Sequence, residues 1–314
     1  VRVFVTGAAA YLARPLLSTL CNQSWVSQVR GIDIKPSLFT HPKYDEFLCD
    51  TRDTRLGELM RGYQSVIHMA FVVLRSTLGH QRKDRVLVHD INVNGSHRVF
   101  EAAAAGGVEA LVHLSSASVY GAWADNPPFM TEAQPRRSMP DFAYAQDKNT
   151  LEDWLDDFEI AQPSMRVVRL RPHVILGPNA QPFLRRLLQQ PFYPSFPSPL
   201  PLTQCVWEDD VVNAILACIQ RDVRGPFNLG ADAALPFRDM LRLTQHHTIG
   251  VPFGALRAAH RALWTVSAIG EEPGWLNGMR YSLTVDASRA KRLLDWNPTY
   301  STPQCVQRIA EPPA

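Results

Sequence analysis

The sequence predicts an α/β protein, a doubly wound parallel sheet with a smaller, interleaved C-terminal domain. Three observations predict it. Residues 1–34 read strand, turn, helix, strand, with a glycine at the turn and an acid at the tip of the second strand. Short apolar runs recur at 47–50, 65–70, 109–115 and 166–175, with helical stretches between them. Parallel strands need such crossovers, because a tight hairpin cannot join them. Polar residues then gather at the ends of these runs, the edge at which open α/β sheets hold ligands.

The first strand, Val1-Arg2-Val3-Phe4-Val5, runs straight into Thr6-Gly7-Ala8-Ala9-Ala10-Tyr11-Leu12-Ala13, and a helix follows to about Cys21. The second strand, 29–34, carries Asp33 near its end. A dinucleotide fold needs this order. The pyrophosphate sits at the first helix N-terminus, on the loop of Gly7, Ala10, Tyr11 and Leu12, and the acid meets the adenosine ribose hydroxyls. An acid at Asp33 repels a 2′-phosphate, so NAD is favoured over NADP; the duller role for Asp33 is a strand-end turn. The loop keeps only Gly7 of the three glycines expected at three-residue intervals, with Ala10 and Ala13 in the other places. Alanine suits the third place, which governs helix–strand packing. At the second, the Ala10 methyl pushes the phosphates outward and is expected to weaken the cofactor's hold.

The run at 47–50 ends in Asp50-Thr51-Arg52-Asp53. Asp50 could bond the adenine amino group or cap a helix, and both roles are compatible. His68 lies in an apolar run and reads as a core histidine. Residues 71–85 read as a solvated loop and helix start. A helix is predicted over 88–105, stopped by Gly106-Gly107, with Asn92 near its start. The strand at 109–115 delivers Ser115 and Ser116 to its tip.

Tyr144 and Lys148 are four residues apart and share a face of a predicted helix from about Ala143. A phenol is a weak base at its ordinary pKa of about 10. A nearby ammonium favours the phenolate, so such a tyrosine exchanges a proton with an alcohol or ketone oxygen near neutral pH. Ser116 could hydrogen-bond the same oxygen.

Taken with Asp33, Asn92-Val93-Asn94-Gly95, Ser115 to Gly121, Tyr144 to Lys148, Leu170-Arg171-Pro172 with Gly177-Pro178, Asp209-Asp210-Val211, Phe227-Asn228-Leu229-Gly230 and Trp296-Asn297-Pro298, the chain resembles the extended, atypical short-chain dehydrogenase/reductase family, the NAD-dependent epimerase/dehydratase group. The resemblance runs through most of the chain. It implies a Rossmann domain over roughly 1–176 and a substrate-binding domain over 177–314, parts of which return to the first. It implies a catalytic triad of Ser116, Tyr144 and Lys148, with Asn92 supporting the lysine through its helix. Thr51, Met69, Ala70, Ser115 and Pro172 would line the cofactor. The family pattern usually has asparagine three residues after the arginine of its Leu-Arg pair; here that place is Val174, preceded by His173. A nucleotide-sugar substrate is therefore not expected.

The loop at 122–142 is rich in proline and polar residues and should border the substrate, with Trp123, Phe129 and Met130 either contacting it or simply packing. Leu151, Trp154, Leu155 and Phe158 form an apolar face on the tyrosine helix, which predicts a homodimer through this helix and its neighbour, with burial inside one chain as the alternative. The stretch 191–201 holds five prolines and excludes a regular helix or central strand. It reads as a wall or lid carrying Phe192, Tyr193 and Phe196, or as packing. Helices are predicted at 210–221, 236–248 and 254–268.

Composition bounds the rest. The 314 residues are 46% hydrophobic and 20% charged with a formal net charge of +2, a globular balance that points to neither nucleic acid nor a membrane. No run approaches a membrane span and no signal peptide is visible. The chain opens in an apolar run at Val1 without a methionine, so a short stretch is expected to precede it. Five scattered cysteines, with no Cys-x-x-Cys, fit a reducing cytoplasm and support no metal site, and the adjacent His246 and His247 face different sides of a helix. The leading expectation is an NAD-dependent oxidoreductase or epimerase/dehydratase acting on a small molecule. The rival is a dinucleotide-binding or sensor protein that keeps the fold with little turnover.

Overall fold

The computed structural model describes residues 1–73, 81–179, 192–195, 201–243, 247–266 and 272–310. Strands β1 (Arg2–Thr6), β2 (Gln28–Asp33), β3 (Tyr44–Leu48), β4 (Ser65–His68), β5 (Ala110–Leu114) and β6 (Arg166–Pro172) form one sheet with a seventh strand, Gly225–Leu229. The order is Gly225–Leu229, β6, β5, β4, β1, β2, β3, and every pairing is parallel. The chain leaves β1 in one direction to β2 and later returns on its other side at β4. That reversal opens a crevice at the C-terminal ends of β1 and β4, where a doubly wound sheet binds its ligand.

Central strands are covered on both faces, so they read as unbroken apolar runs. One face packs on α1 (Ala13–Cys21) and on the helices Glu208–Gln220 and Ser288–Leu294, with Leu16, Leu17, Val211, Ile215 and Leu294 in one cluster. The other packs on α2 (Leu56–Met60), α4 (Gly95–Ala105) and α5 (Ala143–Ala161) through Phe4, Met60, Phe100, Leu151 and Leu155. Residues 208–229 thus return to the sheet from the second half of the chain. A third cluster, with Trp207, Met240, Leu276 and Val306, forms the core of the C-terminal part.

Several boundaries differ from the sequence reading. The single helix expected over 88–105 is α3 (Gln81–His89), a π-helical turn at Asp90–Asn94, and α4. The wider turn carries Asn92, whose buried side chain makes three hydrogen bonds. The helix expected over 236–248 spans Phe237–Leu243, and His247–Gly250 is instead a strand paired with Phe192–Ser195. Among the described residues this sheet has two strands, both edges, which tolerate proline at position 194. Phe196 and His246 lie outside the described residues.

The apolar face of α5 is covered within the chain. Leu151, Leu155 and Phe158 are buried, and Trp154 stacks on His97, Phe100 and Phe158. The observation that suggested a homodimer is thereby satisfied inside one subunit. Among the described residues no helix is long and apolar enough to cross a membrane, and all five cysteines are buried and free.

A buried ion pair ties α5 to the strand tips. Arg171 on β6 and Glu152 on α5 are both almost fully buried, and the Arg171 guanidinium grips both carboxylate oxygens. Arg171 Nη1 also donates to the Tyr120 hydroxyl at 2.6 Å, which donates to Asn228 Oδ1 at 2.8 Å. Removing one partner of such a pair leaves a buried charge. Arg171→Met is expected to destabilise the protein by about 3–5 kcal/mol, and the double variant Arg171→Met/Glu152→Leu to recover much of that. Urea unfolding of the three proteins checks it.

Candidate active site

Gly7 follows β1 with φ +78°, and a Cβ there would lie 2.7 Å from the Ala70 nitrogen and 2.9 Å from the Met69 carbonyl carbon. Only glycine lets the β1 turn pass the β4 tip this closely. The turn is held by hydrogen bonds from the Gly7 and Ala8 amides to the Ile32 carbonyl and from the Ala10 amide to the Gly7 carbonyl. It feeds α1, which has no side-chain cap and no acid in its first turn. Orphan amides at an uncapped, acid-free helix start favour an anion. Tyr11 is half-buried and packs with Ala10 against the core, while Leu12 is buried within it. Burial pushes the Tyr11 phenol well up, with Tyr144 and Glu208 adding to the rise.

Asp33 stands at the β2 tip, its two carboxylate oxygens accepting the Ala9 amide at 3.0 Å and the Lys35 amide at 3.1 Å. Each oxygen retains a lone pair, so the carboxylate can still receive ribose hydroxyls. Asp50 is drawn onto Arg52, whose guanidinium also reaches Asp90 at 2.8 Å; the arginine contact holds the Asp50 carboxyl below its usual range. Thr51 is buried against Gly95 of α4. Met69 is buried and Ala70 half-buried at the β4 tip. His68 is a core histidine, bonded to Thr6 Oγ1 at 2.6 Å and Ser96 Oγ at 2.7 Å, with burial lowering its pKa to about 3. Pro172 is buried at the end of β6, paired with Leu229. These groups suit an NAD molecule: a helix start without acid, a glycine turn with no room for a Cβ, and an acid with free lone pairs.

Ser116, Tyr144 and Lys148 meet at the β5 tip. Ser116 Oγ accepts the Ser118 amide at 3.1 Å and sits beside the Tyr144 phenol, whose pKa it pulls down against the larger, upward effect of burial. The lysine is arranged differently from the sequence reading. Lys148 Nζ donates to the Leu114 carbonyl at 2.6 Å and lies 3.7 Å from the centroid of the Phe71 ring, which also meets the Tyr144 ring edge-on. Lys148 Nζ lies 5.9 Å from the Tyr144 ring centroid, and burial, opposed by Ser116, raises the phenol pKa. Sharing a helix face brings the two residues together, but the last strand carbonyl and Phe71 decide where the ammonium rests. Burial lowers the Lys148 pKa to about 7, opposed by Glu152 and Asp147.

Ser115 is turned from the crevice, its Oγ donating to Glu152 at 2.5 Å. Asn92 reaches no group of Lys148 directly. It brackets Val72 by its amide and carbonyl and donates to Asp147 Oδ2 at 3.1 Å. The buried Asp147 also accepts Arg85 at 2.7 and 3.0 Å and His89 at 2.7 Å. Sequence reasoning passed over His89 and Asp147 and read residues 71–85 as a solvated loop and helix start, whereas Phe71 lies against Lys148 Nζ and Arg85 pairs with the buried Asp147. An acid beside the lysine was visible, but its partners come from α3 and the π-helical turn. In the 122–142 loop, Met130 is buried and bridges to Val285, Trp123 Nε1 donates to the Arg137 carbonyl, and Phe129 is exposed. Among the described residues no cluster of side chains could hold a metal.

Lys148 supplies a stability test. Its folded pKa, about 7, lies below the unfolded value of about 10.4. Between these values the unfolded chain binds more protons than the folded one, so this group's contribution rises with pH and is flat below about pH 7. Wild type is expected to gain on Lys148→Met by up to about 1.4 kcal/mol per pH unit across that window. Denaturation of both proteins from neutral to alkaline pH checks the slope.

Residues 3–230 match the model of the NAD dependent epimerase/dehydratase family. An uncharacterised protein of Mycobacterium tuberculosis is 26% identical over 310 residues, covering 96% of this chain and 81% of the relative. A 4-hydroxy-2-methyl-3-oxo-4-farnesyl-3,4-dihydroquinoline-1-oxide ketoreductase of Stigmatella aurantiaca is 28% identical over 200 residues, covering 60% of this chain and 54% of that protein. Among solved structures, the UDP-glucuronic acid 4-epimerase of Bacillus cereus in complex with NAD superposes with a TM-score of 0.76 at 18% identity, covering 98% of this chain and 96% of that one. The dTDP-glucose 4,6-dehydratase DesIV of Streptomyces venezuelae, with NAD bound, gives 0.74 at 19% identity over 99% and 96%. The structural likenesses carry the fold, and the match across residues 3–230 carries the family: the chain belongs to the NAD dependent epimerase/dehydratase family and takes NAD as its cofactor.

Proposed function

We propose that this enzyme moves a hydride and a proton at one carbon–oxygen bond of a small-molecule alcohol or ketone, with Tyr144 as the proton carrier. What supports the reading is the placing of the Tyr144 phenol beside Ser116 at the β5 tip, where Ser116 lowers its pKa, next to a buried Lys148. NAD supplies the hydride acceptor and donor when bound. Gly7, the α1 amides and Asp33 would hold its pyrophosphate and adenosine ribose, and Lys148 would reach its nicotinamide ribose by exchanging the Leu114 carbonyl for a hydroxyl.

Tyr144 Oη passes its proton to a ketone oxygen, or takes the proton from an alcohol as the carbon loses hydride. Ser116 Oγ holds that oxygen in line. Burial keeps the phenol protonated at neutral pH, which suits donation to a carbonyl. For the reverse direction the phenolate must be stabilised, and Lys148 is the cation at hand. Epimerisation, dehydration and simple alcohol–ketone exchange share this step.

The substrate reading departs from nucleotide sugars. Val174, where the family pattern has asparagine, is exposed and offers no side-chain hydrogen bond, and the neighbouring His173 is spent on the Leu283 carbonyl at 2.6 Å. The buried free cysteines fit a reducing, cytoplasmic setting.

Tyr144→Phe keeps the ring and removes the proton-carrying hydroxyl. Once a substrate is found by following the absorbance of bound nicotinamide, kcat is expected to fall by about 10²–10⁴ with little change in NAD affinity. Near-full activity in this variant would overturn the assignment of the proton carrier. UDP-glucose and UDP-glucuronic acid are expected to leave the nicotinamide unchanged, and a response to either would overturn the substrate reading.

Asp33 is assigned to cofactor choice. NAD is expected to bind more tightly than NADP, and Asp33→Ala to narrow the gap. Calorimetric titration of both proteins with both cofactors checks this; equal affinities in the wild type would remove the role.

A further inference from the structure

The helix that carries Tyr144 and Lys148 begins without a cap of its own. Phe142 occupies its N-cap position and makes no side-chain cap bond, and its first turn contains no acid. Uncapped amides at a half-buried helix start are costly. The missing acceptor comes from a residue 129 positions away. Glu272 Oε1 accepts the Ala143 amide at 2.9 Å and Oε2 the Tyr144 amide at 3.3 Å.

Glu272 does not act alone. The Gly274 amide donates to the Asp141 carbonyl at 2.9 Å, Asn277 Nδ2 reaches Met139 Sδ at 3.2 Å, and Arg257 pairs with Asp141 at 3.0 Å. At Gly274 the fit is close: a Cβ would lie 2.6 Å from the Asp141 carbonyl oxygen and from Phe142 Cβ. Residues 139–144 are thus gripped by a segment of the C-terminal part. The Glu272 carboxyl also feels the charges of Arg85 and Asp147, the pair that anchors the next turn of α5.

We propose that Glu272 is a positioning residue for the proton-transfer step: it caps the tyrosine helix from the C-terminal part and thereby sets where the Tyr144 phenol meets Ser116. The consequence for catalysis rests on the reading of Tyr144 as proton carrier; the contact does not. One of the two capped amides is that of Tyr144 itself, so loss of the acceptor loosens that residue's backbone directly. A displacement of the C-terminal part as ligand enters or leaves would be transmitted to Tyr144 through the same bonds.

The test uses the full-length protein, with and without NAD, as wild type, Glu272→Ala, Glu272→Gln and Gly274→Ala. Hydrogen exchange reads the cap. The Ala143 and Tyr144 amides are expected to exchange about fivefold to tenfold faster in Glu272→Ala, and less so in Glu272→Gln, which keeps one acceptor. Carbon-13 labelling of the tyrosine ring reads the positioning, with Tyr144→Phe identifying the Tyr144 resonance. That resonance is expected to move in Glu272→Ala and to return toward its wild-type place in Glu272→Gln, while those of Tyr63 and Tyr120 stay fixed. Gly274→Ala, which strains the same grip without touching the carboxylate, should move it as well and stands in if Glu272→Ala does not fold. Unchanged exchange would overturn the cap. Faster exchange with an unmoved Tyr144 resonance would overturn the positioning role and leave a helix cap only. Neither outcome depends on the activity of Tyr144→Phe, so failure here is separable from failure of the proton-carrier assignment.

Discussion

The active end of this molecule depends on the buried pair of Arg171 and Glu152. Two charges taken from water are costly unless each is met on several sides. Here they are: Glu152 receives Arg171 and Ser115, and Arg171 also reaches Tyr120, which passes the chain of bonds to Asn228. These partners come from β6, α5, the tips after β5 and the seventh strand. One ion pair therefore sets the relative positions of the elements that carry Ser116, Tyr144 and Lys148. It also explains why Ser115 faces inward and leaves Ser116 to meet the phenol.

Charge balance around Lys148 follows from the same construction. A lysine enclosed by strand tips, Phe71 and α5 loses hydration, and its pKa falls to about 7 despite two nearby carboxylates. Glu152 is committed to Arg171, and Asp147 to Arg85, His89 and Asn92. Each carboxylate is shared, so neither fully offsets the burial. The ammonium turns to what remains, a carbonyl and an aromatic face. In the function proposed for this site, the Tyr144 phenol beside Ser116 would meet an oxygen of substrate and Lys148 a cofactor hydroxyl.

The dinucleotide end is governed by backbone instead of charge. Gly7 is needed because the Ala70 backbone leaves no space for a side chain. Ala10 and Ala13 meet no comparable limit within the chain: the Ala10 amide closes a turn on Gly7 and Ala13 is buried as the helix starts. Alanine at these places is compatible with the turn itself, and any penalty falls on the approach of the pyrophosphate to Ala10.

By itself the sequence determined the alternation of strands and helices, the glycine turn, the acid at the β2 tip and the shared helix face of Tyr144 and Lys148. These features are local or periodic: alternating elements, a positive φ at Gly7, residues four apart on a helix. Tertiary structure alone decided the rest, because the deciding contacts join residues far apart in the chain. Lys148 points to Leu114 and Phe71, Asn92 serves Asp147 through a π-helical turn, the apolar face of α5 is consumed by α4, and the tyrosine helix is capped by Glu272. None of these has a spacing to read. Each exists because the folded chain must find a partner for every buried amide and charge, and the nearest available partner lay elsewhere in the sequence.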